Sequence, residues 1–357
     1  MAAKDLGDLR QKIDDIDDEI LDLLNQRAGV VIEVGKAKAG QSKEFYVPSR
    51  ERAIYERLTA NNQGPFPSDA IRKVFREIIS ASLSLEQPMK VAFLGPQGTF
   101  THAAAMQQFG LSAQVVPQKS IPAVFEEVAR GRAPYGVVPV ENSTEGVVSH
   151  TLDMFMESDL KINAEILLGI SHFLLSRSGR MADIRKVVSH PQALGQCRKW
   201  LEENLPDVPL VDVGSTALAA QMVLEDESVA AIASEMAASL YGLQVVKERI
   251  EDNPNNFTRF LVIGQKTPER SGGDKTSLMF SIKDQPGILY RMLEPFSKRA
   301  INLSKIESRP MKKKAWEYIF FLDIEGHIDD EVVAGAVDEL KGYCQFLKVL
   351  GSYPRAR

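Results

Sequence analysis

Asn253-Pro254-Asn255-Asn256-Phe257-Thr258-Arg259-Phe260 runs directly into Leu261-Val262-Ile263. Amides, a hydroxyl and a guanidinium crowd into one polar segment, which gives way at once to an apolar, strand-like run. Such a segment sets reactive groups at the mouth of an α/β sheet, where small anions bind. The surrounding chain agrees. Apolar runs at 91–94, 136–140, 166–175, 187–188, 210–213, 229–233 and 260–263 alternate with helical stretches, the pattern of α/β architecture.

The texture changes on either side. Upstream, Leu6, Leu9, Ile13, Ile16, Ile20, Leu23 or Leu24, Val31 and Val34 recur at three- and four-residue steps, which predicts one long amphipathic helix. Unbroken to about residue 39, it would run roughly 50 Å at about 1.5 Å per residue. A small domain cannot cover that stripe alone, so a partner chain is expected on it. A second helix is expected near 49–61, and a third after Pro65 and Pro67 with Ser68 as its N-cap. Downstream, 265–275 is polar and rich in breakers and reads as a flexible linker. Strands at 277–282, 303–307, 318–324 and 346–350, with helices at 286–299 and 329–343, then fit one βαββαβ unit. The chain is therefore expected to be multidomain: all-α over 1–88, α/β over 89–265, a linker over 266–275 and α+β over 276–357.

Composition narrows the function classes. At 357 residues, two or three domains are expected, and 44% apolar with 25% charged residues is the profile of a soluble globular protein. A net charge of −5 argues against general nucleic-acid binding. Cys197 and Cys344 are the sole cysteines, too few for a disulfide framework or a four-cysteine metal site, and a reducing cytoplasm is expected. The N-terminus turns acidic at Asp5 without a signal-peptide core, and no uncharged apolar run approaches the roughly 18 residues that span a bilayer. The five histidines show no metal-ligand spacing, so neither metal nor cofactor is expected.

Three further blocks carry chemistry. Gly95-Pro96-Gln97-Gly98-Thr99-Phe100-Thr101 feeds a helical stretch, and a glycine-containing turn there offers free N–H groups to an anion. It lacks the Gly-x-Gly of a dinucleotide site. Val138-Pro139-Val140-Glu141-Asn142-Ser143-Thr144-Glu145-Gly146 and Ser189-His190-Pro191-Gln192-Ala193-Leu194-Gly195-Gln196 repeat that logic at strand ends. Singly, each reads equally as a capping turn. Together, in this order and followed by Thr258-Arg259-Phe260, they resemble the prephenate dehydratases across residues 90–264. The resemblance implies two α/β lobes with the site in the cleft between them. Prephenate loses one carboxylate as carbon dioxide and its ring hydroxyl as water, leaving phenylpyruvate. By the resemblance, Thr258 serves the leaving hydroxyl, with Glu141, Asn142, Ser189 and Gln196 around it and Thr99, Ser143, Thr144 and Phe260 binding substrate. Arg259 either clamps the retained carboxylate or makes a structural ion pair. His190, before proline at a strand end, reads as structural.

The N-terminal helices carry cations. Arg27 and Lys38 are 11 residues apart, about 20° net at about 100° per residue, and share a face. Arg10 lies about 100° away from Arg27 and faces elsewhere, from where an antiparallel dimer would bring it to the partner's site. Ser82 and Glu86 continue the apolar stripe of Ile71, Val74, Phe75, Ile78 and Ile79, an unusual place for a carboxyl. Pattern alone also allows these charges to be solvated. Leu9-Arg10, Asn25-Gln26-Arg27, Val34-Gly35-Lys36-Ala37-Lys38, Arg50-Glu51-Arg52, Ser82 and Glu86 resemble the all-helical chorismate mutases. That implies a Claisen rearrangement, in which a dicarboxylate is held compact while charge grows on the ether oxygen. Arg10 (from the partner), Arg27 and Arg50 would take carboxylates, Lys38 and Glu86 the ether oxygen, and Glu51 the substrate hydroxyl.

Asp284-Gln285-Pro286-Gly287-Ile288-Leu289, Ile301-Asn302-Leu303 and Glu307-Ser308-Arg309-Pro310 resemble an ACT domain of the phenylalanine-binding kind. Asp284, Gly287, Leu289, Asn302, Leu303, Glu307, Ser308 and Arg309 would then form a regulatory site between two such domains; a plain dimerisation module is the alternative. The resemblances together imply a bifunctional chorismate mutase–prephenate dehydratase of phenylalanine biosynthesis. Its substrates would be chorismate and prephenate, its inhibitor L-phenylalanine, and its assembly a homodimer or larger. A non-catalytic sensor with vestigial pockets, or a dehydratase with an inert mutase, are the competing readings.

Overall fold

The computed structural model describes residues 6–39, 46–86, 88–282, 285–310 and 318–356, with the backbone alone for Lys38 and Ala39. By packing, the chain divides into two compact units. The first holds α1 (Leu6–Ala39), α2 (Pro48–Asn61) from residue 54 onward, α3 (Ser68–Glu86) and the loop 109–114. The first turn of α2 and all the remaining elements form the second.

In the first unit, α1 is a single unbroken helix of 34 residues, as its period predicts. It packs on α3, which buries Ile71, Ile79 and Ser82. Gly35 marks a close approach, since a Cβ there would lie 3.0 Å from Glu86 Cγ. Ser68, expected as a cap, is instead the first helical residue. In the loop, the Leu111 N–H donates to Glu77 (2.9 Å) and the Ser112 N–H to Ser80 Oγ (3.2 Å). Most of the apolar stripe of α1 has no cover within one chain: Leu6, Ile13, Ile16 and Leu23 are each more than half exposed. No helix among the described residues is long and apolar enough to cross a membrane.

The second unit contains three sheets. The first lobe comprises β1 (Lys90–Leu94), α4 (Phe100–Phe109), β2 (Gln114–Gln118), α5 (Ile121–Ala129), β3 (Tyr135–Asn142), β4 (Gly146–Val147), α6 (Ser149–Glu157) and β5 (Lys161–Gly169). The chain then builds the second lobe from β6 (Phe173–Ser176), β7 (Lys186–Ser189), α7 (Pro191–Gln196), α8 (Arg198–Asn204), β8 (Leu210–Asp212), α9 (Thr216–Val223), β9 (Val229–Ala233), α10 (Glu235–Tyr241) and β10 (Gln244–Lys247). It returns to the first sheet as β11 (Phe257–Gly264). The two lobe sheets run β2-β1-β3-β11-β5, with β4 beside β3, and β10-β6-β9-β7-β8. The run 166–175, expected as one strand, is two: β5 ends at Gly169 and β6 starts at Phe173, because the chain changes sheets between them. The short strands β2, β4 and β10 carry too few apolar residues to announce themselves.

The third sheet is β13-β14-β12-β15, formed by β12 (Asp274–Ile282), β13 (Leu303–Pro310), β14 (Tyr318–Glu325) and β15 (Cys344–Pro354), with α11 (Ile288–Ser297) and α12 (Glu331–Lys341). This is the predicted βαββαβ order. Side chains alternate across a strand, and here both faces are buried. Leu278, Phe280 and Leu322 pack among residues of the helices, such as Met292 and Val337. Met279, Phe321 and Tyr353 join the core of the first lobe, with Ile162 and Leu261. The expected linker is shorter than the sequence suggests. β12 begins at Asp274, whose carboxylate accepts from the Ser271 and Gly272 N–H groups.

Candidate active site

β3 and β11 are antiparallel neighbours, so the end of one meets the start of the other, with Asn142 opposite Thr258 and Glu141 opposite Arg259. Alternation sends each pair to its own face of the sheet. On one face, Asn142 Oδ1 accepts from the backbone N–H groups of Thr144 (2.9 Å) and Glu145 (3.0 Å). That orients its amide, and Nδ2 donates to Thr258 Oγ1 (2.8 Å) and Asn256 Oδ1 (2.8 Å). Asn256 donates in turn to Gln196 Oε1 (2.9 Å), on α7 of the second lobe. His172 Nε2 lies 2.8 Å from that same oxygen. An amide oxygen accepts only, so Nε2 is the protonated ring nitrogen and a neutral His172 keeps Nδ1 bare. Burial lowers the pKa of His172, against the opposing pull of Gln196 and Glu251, and Nδ1 is buried without a partner. The chain Thr258–Asn142–Asn256–Gln196–His172 thus ties the two lobes together. Thr258 Oγ1 accepts within it and keeps its own hydrogen to donate outward.

The other face carries a different chemistry. Arg259 donates to Glu165 (2.8 Å), Asp323 (2.6 Å) and Tyr353 Oη (3.0 Å), and Lys275 Nζ reaches both Glu165 oxygens (2.9 and 2.8 Å). Burial by itself would lower Arg259, but Tyr353, Asp323 and Glu165 outweigh it and hold it above its ordinary value. Of the two readings open for Arg259, carboxylate clamp or structural ion pair, the geometry matches the second: each guanidinium nitrogen donates to a partner within the chain, two of them carboxylates. Glu141 sits on this face too, paired with Lys305 (2.6 Å).

Other expected site residues are also diverted. Ser189 is fully buried and donates to Ile232 O (2.6 Å), and Phe260 is in the core. Thr99 Oγ1 donates to Pro96 O (2.9 Å) and accepts from the His102 N–H (3.3 Å), the bonds of a cap. Ser143 accepts from the Phe257 N–H (3.0 Å) and brackets the start of β11. Thr144 is bonded to Asn142 through its backbone N–H alone. His190 caps α7, accepting from Gln192. Sequence reasoning missed His172, Glu165, Asp323, Lys275 and Lys305. The signal for Glu165 and Asp323 was available, a lone carboxylate inside an apolar strand run, which needs a buried cation.

In the helical unit, Arg27 Nη1 donates to Ser82 Oγ, and the Ser82 hydroxyl donates to Ile78 O (2.6 Å). Burial lowers Arg27 from its ordinary value, yet a guanidinium stays charged. A Glu86 carboxylate oxygen is buried near this face. Arg10 is exposed, about 25 Å along α1 from Arg27 at about 1.5 Å per residue. Arg50 and Glu51 lie on the first turn of α2, within the second unit. The Lys38 side chain and Asp284 lie outside the described residues.

In the third domain, Gly287 takes φ +78° to open α11, a left-handed angle that favours glycine. Leu289 is exposed, while Leu303 packs against the domain core. Asn302 O accepts from the Glu325 N–H (2.9 Å). Glu307 and Ser308 lie on β13. Arg309, expected at a ligand, donates instead to Asp153 (2.7 Å) and Ser149 O (2.6 Å) of α6.

A helical domain joined to a two-lobed α/β enzyme and a βαββαβ module defines a multidomain enzyme of aromatic acid chemistry once the matching families are added. Residues 9–87 match chorismate mutase type II, 91–268 prephenate dehydratase and 276–342 the ACT domain. A bifunctional chorismate mutase/prephenate dehydratase of Aquifex aeolicus is 53% identical, over 99% of each chain. One from Pseudomonas aeruginosa is 44% identical over 100% of both. The structure of an Arthrobacter aurescens prephenate dehydratase in complex with L-Phe is 40% identical with a TM-score of 0.70, covering 75% of this chain and 90% of that one. The chain belongs to the bifunctional chorismate mutase/prephenate dehydratase family. It is a chorismate mutase and a prephenate dehydratase with an ACT domain.

Proposed function

We propose that Thr258 is the oriented donor to the leaving hydroxyl of prephenate, with Asn142, Asn256 and Gln196 holding it. The observation that carries this is the direction of the hydrogen bonds: Asn142 donates into Thr258 Oγ1, so the threonine hydrogen is free for substrate. One proton is consumed as the carboxylate leaves as carbon dioxide and the hydroxyl leaves as water. The electron pair of the broken C–C bond enters the ring. Thr258→Ala should lower phenylpyruvate formation by about 10²-fold or more, as loss of an oriented donor does, while chorismate consumption continues. A folded variant that retains most dehydratase activity would overturn the assignment.

Arg27, Ser82, Lys38 and Glu86 are proposed to serve chorismate in the mutase pocket, completed by Arg10 of a second chain. The uncovered stripe of α1 supports a homodimer. The working segments are proposed as 1–88, 89–265 and 276–357, in a cytoplasmic enzyme. Feedback inhibition by L-phenylalanine through the ACT domain is supported by the Arthrobacter relative, whose structure holds that amino acid.

A further inference from the structure

We propose that Glu141 serves the dehydratase from behind, as a positioning residue locked by Lys305 of the ACT domain, and does not touch substrate. This rests on the assignment of Thr258 and Asn142 to the dehydratase site. Glu141 and Asn142 are consecutive on β3 and therefore project to opposite faces. Asn142 meets Thr258, whereas Glu141 meets Lys305 Nζ at 2.6 Å. The Lys305 side chain is 12% exposed and that of Glu141 37%, so water screens the pair from the Glu141 side only. Glu141 and Lys305 both line a cavity of about 300 Å³ together with Arg259, Glu165, Lys275 and Asp323. Three of those six come from the third domain. The face of β3 and β11 turned away from Thr258 is thus gripped by charges of the ACT domain on both members of one register pair, Glu141 and Arg259.

A strand held this way transmits displacement. Moving β13 pulls Lys305, Lys305 pulls Glu141, and Glu141 carries its neighbour Asn142, which orients Thr258. Misplacement of a catalytic group by about 1 Å can cost about 10²-fold in rate, so the ACT domain needs no contact with substrate to control the reaction.

The experiment is a charge-swap cycle in the full-length enzyme: Lys305→Met, Lys305→Arg, Glu141→Gln, and Glu141→Lys combined with Lys305→Glu. Dehydratase kcat and KM are measured, and mutase activity reports on folding. Lys305→Met and Glu141→Gln should each lower kcat by about tenfold or more, with KM within about twofold, the signature of an interaction lost from the transition state. The swap should recover most of the loss, because residues that act as a pair are coupled. Lys305→Arg should stay near wild type, and this decides the matter if the swap does not fold. The proposal is overturned if Lys305→Met leaves kcat unchanged, or if a folded swap is no better than Glu141→Gln, which would make Glu141 a carboxylate that acts on substrate. Failure of the Thr258 assignment would show separately, as an active Thr258→Ala enzyme.

Discussion

The helical unit and the dehydratase lobes solve the same problem, holding a dicarboxylate, with different completeness. In the lobes, Thr258, Asn142, Asn256, Gln196 and His172 close one hydrogen-bonded chain within a single polypeptide. In the helical unit, Arg10 sits far along α1 from Arg27, and the apolar stripe between them is open. A sheet brings distant residues side by side through its ladder, whereas a helix spreads its residues along an axis and needs a second body to gather them.

Complementation offers the most direct way to break that contrast. Arg10→Ala and Arg27→Ala should each abolish mutase activity. Random mixing should restore roughly one quarter of it, since half the dimers are mixed and each has one intact pocket of two. Mixing Thr258→Ala with Gln196→Ala should restore no dehydratase activity, because both groups serve the same chain's site. Equal recovery in both experiments would erase the distinction.

A smaller effect is expected at the ionic face of β11. Arg259→Met leaves Asp323 and Glu165 short of a partner in a buried network and should cost about 3 kcal/mol, as breaking a buried ion pair does. Urea unfolding would measure it, with the second unit weakened and the helical unit spared. Loss of dehydratase activity without loss of stability would show that Arg259 is a substrate clamp after all.

The smallest effect is on pH dependence. Burial lowers His172 below its ordinary 6.5, so the unfolded chain takes up a proton before the folded one does. Stability is therefore complete above about pH 6.5 and is lost as pH falls through that value towards the folded pKa. His102 has the same sign, through burial. His172→Asn should flatten part of this slope in melting temperatures between about pH 7.5 and 5.5. An unchanged slope would mean that His172 takes up its proton equally in the folded and unfolded chain.

Much of the architecture was legible before any coordinate. The period of α1 needed no tertiary information, because 3.6-residue repetition of Leu and Ile is local. So was the βαββαβ order, which short apolar runs and breakers announce. The block Asn253–Phe260 was recognisable as a candidate site because it crowds polar side chains against a core strand. Legibility stopped where two residues adjacent in sequence part company in space. Glu141 and Asn142, or Thr258 and Arg259, read as single motifs, and a strand sends their members to opposite faces.

The sequence alone therefore determined most of the elements, their order and the family, since these follow from local periodicity and from motifs that occur as contiguous strings. Tertiary structure alone decided which polar groups work together. It paired β3 with β11 in register, brought Gln196 and His172 to Asn256 from the other lobe, and set Lys305 and Asp323 against the far face. Those partners lie tens to hundreds of residues apart. Charges and amides seek partners through space, and burial, which makes each such partner obligatory, exists only once the chain has folded.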